Sequence, residues 1–248
     1  MSQLQSLLIA LQFLTRLPVR LEAPPDGPAL GRSLLFYPFV GLAMGLTLVV
    51  LARSLVGIGG WLPAVIVLTA WVAFTGALHL DGLADSADAW AGGPDNRERT
   101  LAIMKDPRSG PVAVVVVVLV LLLKVAALEV IIARHNWIAL ALAPVLGRTA
   151  PLLLFLTTPY VRPGGLGSEL ARYLPRRGGM LVLSATLAGA LLASGTSGIW
   201  SYLATGALFW WLRLSMIRRI GGTTGDTAGA TVELTECAVL ISLALADR

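Results

Sequence analysis

The stretch "PVAVVVVVLVLLLKVAALEVII", residues 111–132, contains one lysine and one glutamate among otherwise apolar residues. As a helix rising about 1.5 Å per residue it is long enough to cross a hydrocarbon core, which takes about 20 apolar residues. The rest of the chain has the same character. Of its 248 residues 56% are hydrophobic and only 13% charged, and the mean hydropathy is +0.79. Soluble domains carry about 25% charged residues. A soluble fold could not hide this much apolar surface, so the sequence predicts an all-α integral membrane protein. The 26 glycines and 14 prolines suit membrane helices, which tolerate both. The single cysteine, Cys237, excludes an internal disulfide and any zinc ribbon.

Working outward from 111–132, six further spans are predicted, near 36–55, 61–79, 137–156, 180–195, 199–214 and 227–246, giving about seven. Ahead of them Leu4, Leu7, Leu8, Leu11 and Leu14 recur at helical spacing, which predicts an amphipathic helix at the interface or against the bundle. No positive residue precedes this apolar part, so a cleavable signal peptide of the usual form is not expected. With no internal repeat or linker, residues 1–248 read as one polytopic domain.

The basic residues orient the predicted spans. Arg16, Arg20, Arg32, Arg97, Arg99, Lys105, Arg108, Arg162, Arg172, Arg176, Arg177, Arg213, Arg218 and Arg219 fall on one side, against Arg53, Arg134 and Arg248 on the other. The richer side is expected to face the cytoplasm. It receives the polar loops near 80–110, 157–179 and 217–226. This distribution accounts for the net charge of +5 without invoking nucleic acid.

"HLDGLADSADAW" (79–90) places Asp81, Asp85 and Asp88 at spacing i, i+4, i+7, within roughly 60° of one another on a helix. Three like charges on one face repel, and a bound divalent cation relieves the repulsion. Carboxylates without thiols, and with His79 as the only nearby imidazole, favour Mg²⁺ or Mn²⁺ over zinc. "GGTTGDTAGATVELTE" (221–236) supplies a second acidic pair, Asp226 and Glu233, again on one helical face. Between these stretches, "AIMKDPRSGP" (102–111) brings Lys105 and Arg108, cations suited to a diphosphate, although topology alone also explains them. Arg148, inside a predicted span, either pairs with a buried acid or reaches an anionic ligand. Lys124 and Glu129 read as structural, either as partners or by snorkelling.

"FLTRLP" (13–18), "HLDGLADSADAW", "IMKDPRSG", "GRTAP" (147–151) and "GGTTGDTAGATVELTE" occur in an order that resembles the cobalamin synthase family, from about residue 13 to 236. Pro107 stands where that family more often has a small residue. The resemblance implies a Mg²⁺-dependent membrane transferase. It would join adenosylcobinamide-GDP to α-ribazole or its 5′-phosphate and release GMP. The expected metal ligands are Asp81, Asp85, Asp88 and Asp226. Asp88, Lys105 and Arg108 are the expected catalytic groups, with Asp88 taking the hydroxyl proton. His79, Lys105, Asp106, Arg108, Arg148, Thr224, Gly225 and Glu233 make up the expected substrate-binding set. Partners are these two substrates and the lipid bilayer, with homo-oligomerisation left open.

Two rival readings remain in view. A CDP-alcohol phosphotransferase would continue its Asp-Gly motif with Ala-Arg and further aspartates at four-residue spacing, whereas Asp85 follows Ala84 and "AGGPDNRERT" lacks that spacing. An ion-coupled transporter would use Asp81, Arg148 and Glu233 along a path, but transporters gather charge at mid-membrane and repeat their halves.

Overall fold

The computed structural model describes residues 3–21, 23–195 and 197–246, so Arg248 lies outside the described residues. Among these the chain is helical throughout: α1 (Gln3–Leu14), α2 (Gly27–Ser33), α3 (Tyr37–Ser54), α4 (Leu62–Thr75), α5 (Leu78–Gly92), α6 (Arg97–Ile103), α7 (Pro111–Ala133), α8 (Trp137–Thr157), α9 (Leu166–Tyr173), α10 (Arg176–Ser194), α11 (Ser197–Ile220) and α12 (Gly225–Ala246). A 3-10 turn, Leu34–Phe36, joins α2 to α3.

Local signals start several of these helices. Asp26 accepts the Ala29 amide at 2.8 Å to open α2, Asn96 the Arg99 amide at 2.8 Å to open α6, and Asn136 the Ala139 amide at 3.0 Å to open α8. α7 begins with a proline, and Gly110 ahead of it has no side chain with which to cap. The acceptor comes from another helix, as described below.

Five stretches are long and apolar enough to cross a membrane: Gly27–Ser54, α7, α8, α10 and α12. α4 and α5 together raise the number to six at most, because they form one apolar pair bent by 88°. The predicted count of seven is therefore not confirmed. Residues 199–214 fall in α11, which stands outside this group and carries Arg213, Arg218 and Arg219 in its second half. Residues 61–79 cover α4 and only the start of α5.

The bend between those two helices has a clear local cause. Gly76 and Ala77 both adopt left-handed backbone, with φ of 61° and 59°. Glycine takes this conformation freely, and alanine does so at a cost. Arg16 braces the corner, its amide donating to the Phe74 carbonyl at 2.8 Å. Its side chain occupies the space that a β-carbon on Gly76 would need. Thus the "FLTRLP" stretch acts as a strut for the elbow.

α8 forms the centre, buried along most of its length, with α3, α12 and α10 packed on it. α1 is tucked against the bundle, where Ile9, Ala10 and Leu14 join Leu30, Leu34 and Tyr37 in one apolar cluster. At one end of the bundle the connecting loops converge. Residues 159–161 and Thr223 form a short parallel bridge, Thr223 donating to Pro159 and Val161 to Thr223, both at 2.9 Å. Arg97 donates to the Ile220 carbonyl at 2.8 Å, and the Thr224 hydroxyl lies 3.8 Å from the Met104 sulfur.

Candidate active site at the crossing of α5 and α12

Gly82 of α5 meets the first turn of α12. A β-carbon there would lie 2.7 Å from the Asp226 carbonyl oxygen. This approach brings the two acidic segments together. Beside the crossing is a cavity of about 280 Å³, lined by His79, Asp81, Gly225, Asp226, Tyr160 and Arg162, with apolar walls that include Phe155 and Leu170. Arg162 forms an ion pair with Asp226 at 2.8 Å. The cavity therefore carries two carboxylates and one guanidinium over an apolar floor. It can take a ligand with a charged, phosphate-bearing end and a bulky apolar body.

Asp81 and Asp85 stand one turn apart, and neither carboxylate has a hydrogen bond or ion pair among the described residues. The Asp85 carboxyl is pushed up to about 6. Burial contributes most, followed by the nearby charges of Asp81, Asp226 and Asp88, with Arg162 opposing. The negative charge expected from the spacing is thus concentrated in the folded chain.

Asp88 has a different occupation. Its oxygens accept the amides of Gly110 and Ala113, the latter at 2.9 Å, so it caps the N-terminus of α7 from a distance of 22 residues. Both oxygens thus have a structural task at the start of α7, besides the metal-ligand and proton-acceptor roles expected of Asp88.

The remaining expected residues divide into three places. Lys105 and Arg108 are exposed and do not line the cavity, and Arg108 closes on Asp106 at 2.8 Å. That contact holds the Asp106 carboxyl down to about 2. Thr224 is fully buried, and it and Thr227 exchange hydrogen bonds that cap α12. Arg148 and Glu233 lie deeper, in a closed network. Lys124 donates to Glu233 at 2.5 Å and to Glu236 at 2.6 Å, and Arg148 pairs with Glu236. Lys124 also sits 5.0 Å over the Trp71 ring. All four charges are buried and formally cancel, so Lys124 is partnered by α12 and not by Glu129. Neither Arg148 nor Glu233 lines the cavity.

Arg162 was missed from sequence, where it counted only as one more arginine on the positive side. Its pairing with Asp226 crosses 64 residues of chain, and no local pattern announces it.

Among the described residues no three carboxylate, imidazole or thiol groups converge as a complete metal-binding set. Mg²⁺ does not require one, since it is usually held by one or two carboxylates together with substrate phosphates and water. The oxygen-only pair of Asp81 and Asp85, unpartnered and electrostatically crowded, fits that mode.

The family model for cobalamin-5-phosphate synthase matches residues 6–244. The chain belongs to this family. It is similar to the adenosylcobinamide-GDP ribazoletransferase of Pseudomonas fluorescens, 60% identical over 96% of this chain and 98% of that one. The ribazoletransferase of Pseudomonas aeruginosa is likewise 60% identical, over 98% of both chains. That of Pseudomonas putida is 58% identical over 96% of this chain and 98% of its own. No solved structure matches. Membership of the cobalamin-5-phosphate synthase family agrees with the resemblance carried by the motifs. It also disfavours the transporter and CDP-alcohol readings.

Proposed function

We propose that this protein is a Mg²⁺-dependent adenosylcobinamide-GDP ribazoletransferase of the bacterial inner membrane, with its active site at the cytoplasmic face. The reaction would join adenosylcobinamide-GDP to α-ribazole, or to its 5′-phosphate, and release GMP. The observation that carries this reading is the cavity at the α5–α12 crossing, where Asp81, Asp226 and Arg162 meet in a chain so similar to named ribazoletransferases. The sidedness rests on the arginine distribution and on the gathering of the three polar loops at one end of the bundle.

In this reading Asp81 and Asp85 would hold Mg²⁺, which when bound would neutralise charge on the diphosphate. Arg162 binds a phosphate oxygen, and in doing so leaves Asp226. The apolar walls receive the bulky part of the donor and keep water from the reacting phosphorus. The ribazole hydroxyl attacks the phosphorus attached to cobinamide. A new P–O bond forms as the P–O bond to GMP breaks, with its electron pair leaving on GMP. Asp226, freed from Arg162, takes the hydroxyl proton.

The test is turnover by purified protein in detergent, supplied with adenosylcobinamide-GDP and either acceptor, with and without Mg²⁺. Equimolar GMP and joined product, dependent on Mg²⁺ and lost in Asp85→Asn, are expected. A folded sample that releases no joined product, or a fully active Asp85→Asn, would sink the reading.

A further inference from the structure

A second and larger cleft, about 780 Å³, opens beside the aspartate cavity, between the end of α8, the loop at 158–163 and α9. Its polar lining includes Arg162, Arg172 and Arg176 with the hydroxyls of Thr158, Tyr160 and Ser168, and among the described residues no acidic side chain lines it. Arg162 and Tyr160 stand in the walls of both spaces.

The retention of positive charge at one membrane face accounts for arginines on this side. It does not account for three of them around one acid-free concavity. Nor does it explain the state of Arg162. One of its terminal nitrogens pairs with Asp226, while its Nε is buried with no hydrogen-bond acceptor among the described residues. A buried guanidinium donor without an acceptor is unfavourable and calls for an anionic oxygen. Arg172 forms no ion pair among the described residues and rests 5.3 Å from the Tyr173 ring. Arg176 is anchored through one nitrogen to the Leu156 carbonyl at 2.6 Å, which fixes its guanidinium at the rim.

We infer that this cleft is a phosphate-binding subsite separate from the aspartate cavity, with Arg162 in the shared wall and Arg172 and Arg176 at the mouth. Its ligand is a phosphate group on an organic molecule, bound without a metal. Two sources fit in a two-substrate reaction, the guanine nucleotide of the donor and the 5′-phosphate of the acceptor. The naming of these two sources rests on the transferase reading. Placing such a group here would set its owner alongside the aspartates, with Arg162 between the two anions.

The experiment is calorimetric titration of the full chain in detergent, with a chelator present so that no metal contributes. The probes are GMP, α-ribazole 5′-phosphate and α-ribazole. Arg172→Ala is expected to weaken the phosphate ligand of the cleft by about tenfold or more, as for loss of a charged hydrogen bond. Arg172→Lys should recover part of that loss. Arg99→Ala, which removes an exposed charge from α6, should leave every affinity within about twofold, as expected of a distant surface change. An effect confined to GMP assigns the cleft to the nucleotide, and one confined to α-ribazole 5′-phosphate assigns it to the acceptor. The inference is overturned if neither phosphate ligand binds, if neither responds to Arg172→Ala, or if α-ribazole weakens as much as its phosphate. Arg172-dependent binding in a protein without turnover would remove the transferase reading and leave the subsite standing. Turnover with no such dependence would remove the subsite alone.

Discussion

Gly82 and Asp226 are in backbone contact, so the two acidic helices share a single fixed crossing point. An alanine at 82 would place its methyl 2.7 Å from one backbone atom of Asp226 and 3.1 Å from another. Main chain on both sides must then move apart. Gly82→Ala is expected to lose most activity and about 1–3 kcal/mol of stability, as overpacking does. Gly189→Ala on α10, where no described residue lies within 4 Å, should be silent or slightly stabilising. Turnover and thermal unfolding in detergent check both.

The buried network predicts an asymmetric pattern. Lys124→Met leaves Glu233 and Glu236 without their shared cation, and breaking such a set typically costs about 3–5 kcal/mol. The yield of monodisperse protein should fall sharply. Adding Glu233→Gln to Lys124→Met should restore part of it by removing one uncompensated charge. A double variant no better folded than the single one would refute the pairing.

Asp88 and Asp85 should separate on substitution. Asp88→Ala removes both amide contacts at the start of α7 and is expected to destabilise by about 1–2 kcal/mol, the size of a lost cap. Asp88→Asn keeps an acceptor oxygen and should retain much of the stability and measurable turnover. Asp85→Asn should keep stability and lose turnover. Equal loss of activity in Asp88→Asn and Asp85→Asn would place Asp88 in the chemistry.

The raised Asp85 carboxyl gives opposite pH dependences for folding and for metal binding. The folded chain holds a proton on Asp85 between the ordinary 3.8 and about 6, where the unfolded chain has released it. Its contribution to stability is therefore present in acid and is lost as pH rises through about 6. The proposed Mg²⁺ site uses the carboxylate, so affinity should fall as pH drops through the same range, and binding near its midpoint should release protons. Titrations at about pH 6, in buffers of different ionisation heat, detect the proton release, which should vanish above about pH 7 where the carboxyl is already ionised. Asp85→Asn should abolish it.

The sequence made the membrane class legible through its long apolar runs, and it made the two acidic helices legible through spacing alone. It also placed the polar loops 80–110, 157–179 and 217–226 on one side, and the structure brings them into contact. The count of spans was less accessible. A hydropathy window records composition along the chain, and it does not register an 88° turn made by two left-handed residues. Gly76 was a visible hint, but Ala77 with a φ of 59° gives no sequence signal.

Charge partners were the other gap. Lys124 finds Glu233 and Glu236 across 109 and 112 residues, and Asp88 reaches the amides of α7 across 22 and 25. Such pairings depend on how helices pack, which no local pattern encodes. The motifs correctly marked which segments assemble, and they did not distinguish carboxylates that hold the fold together from those left free.

The elbow at Gly76 and Ala77 has a mechanical consequence. α5 is a lever arm hinged at residue 77, with Asp85 about 12 Å along it. Left free, a 10° change in the tilt of α4 (as a thinner or thicker bilayer imposes) would swing that carboxylate by about 2 Å, enough to spoil a coordination shell. The contact at Gly82 pins the arm about 7.5 Å from the hinge, short of Asp85, while the Asp88 cap ties its far end to α7. Asp85 thus sits between two clamps, which hold it in register with α12 and α7 whatever the tilt of α4.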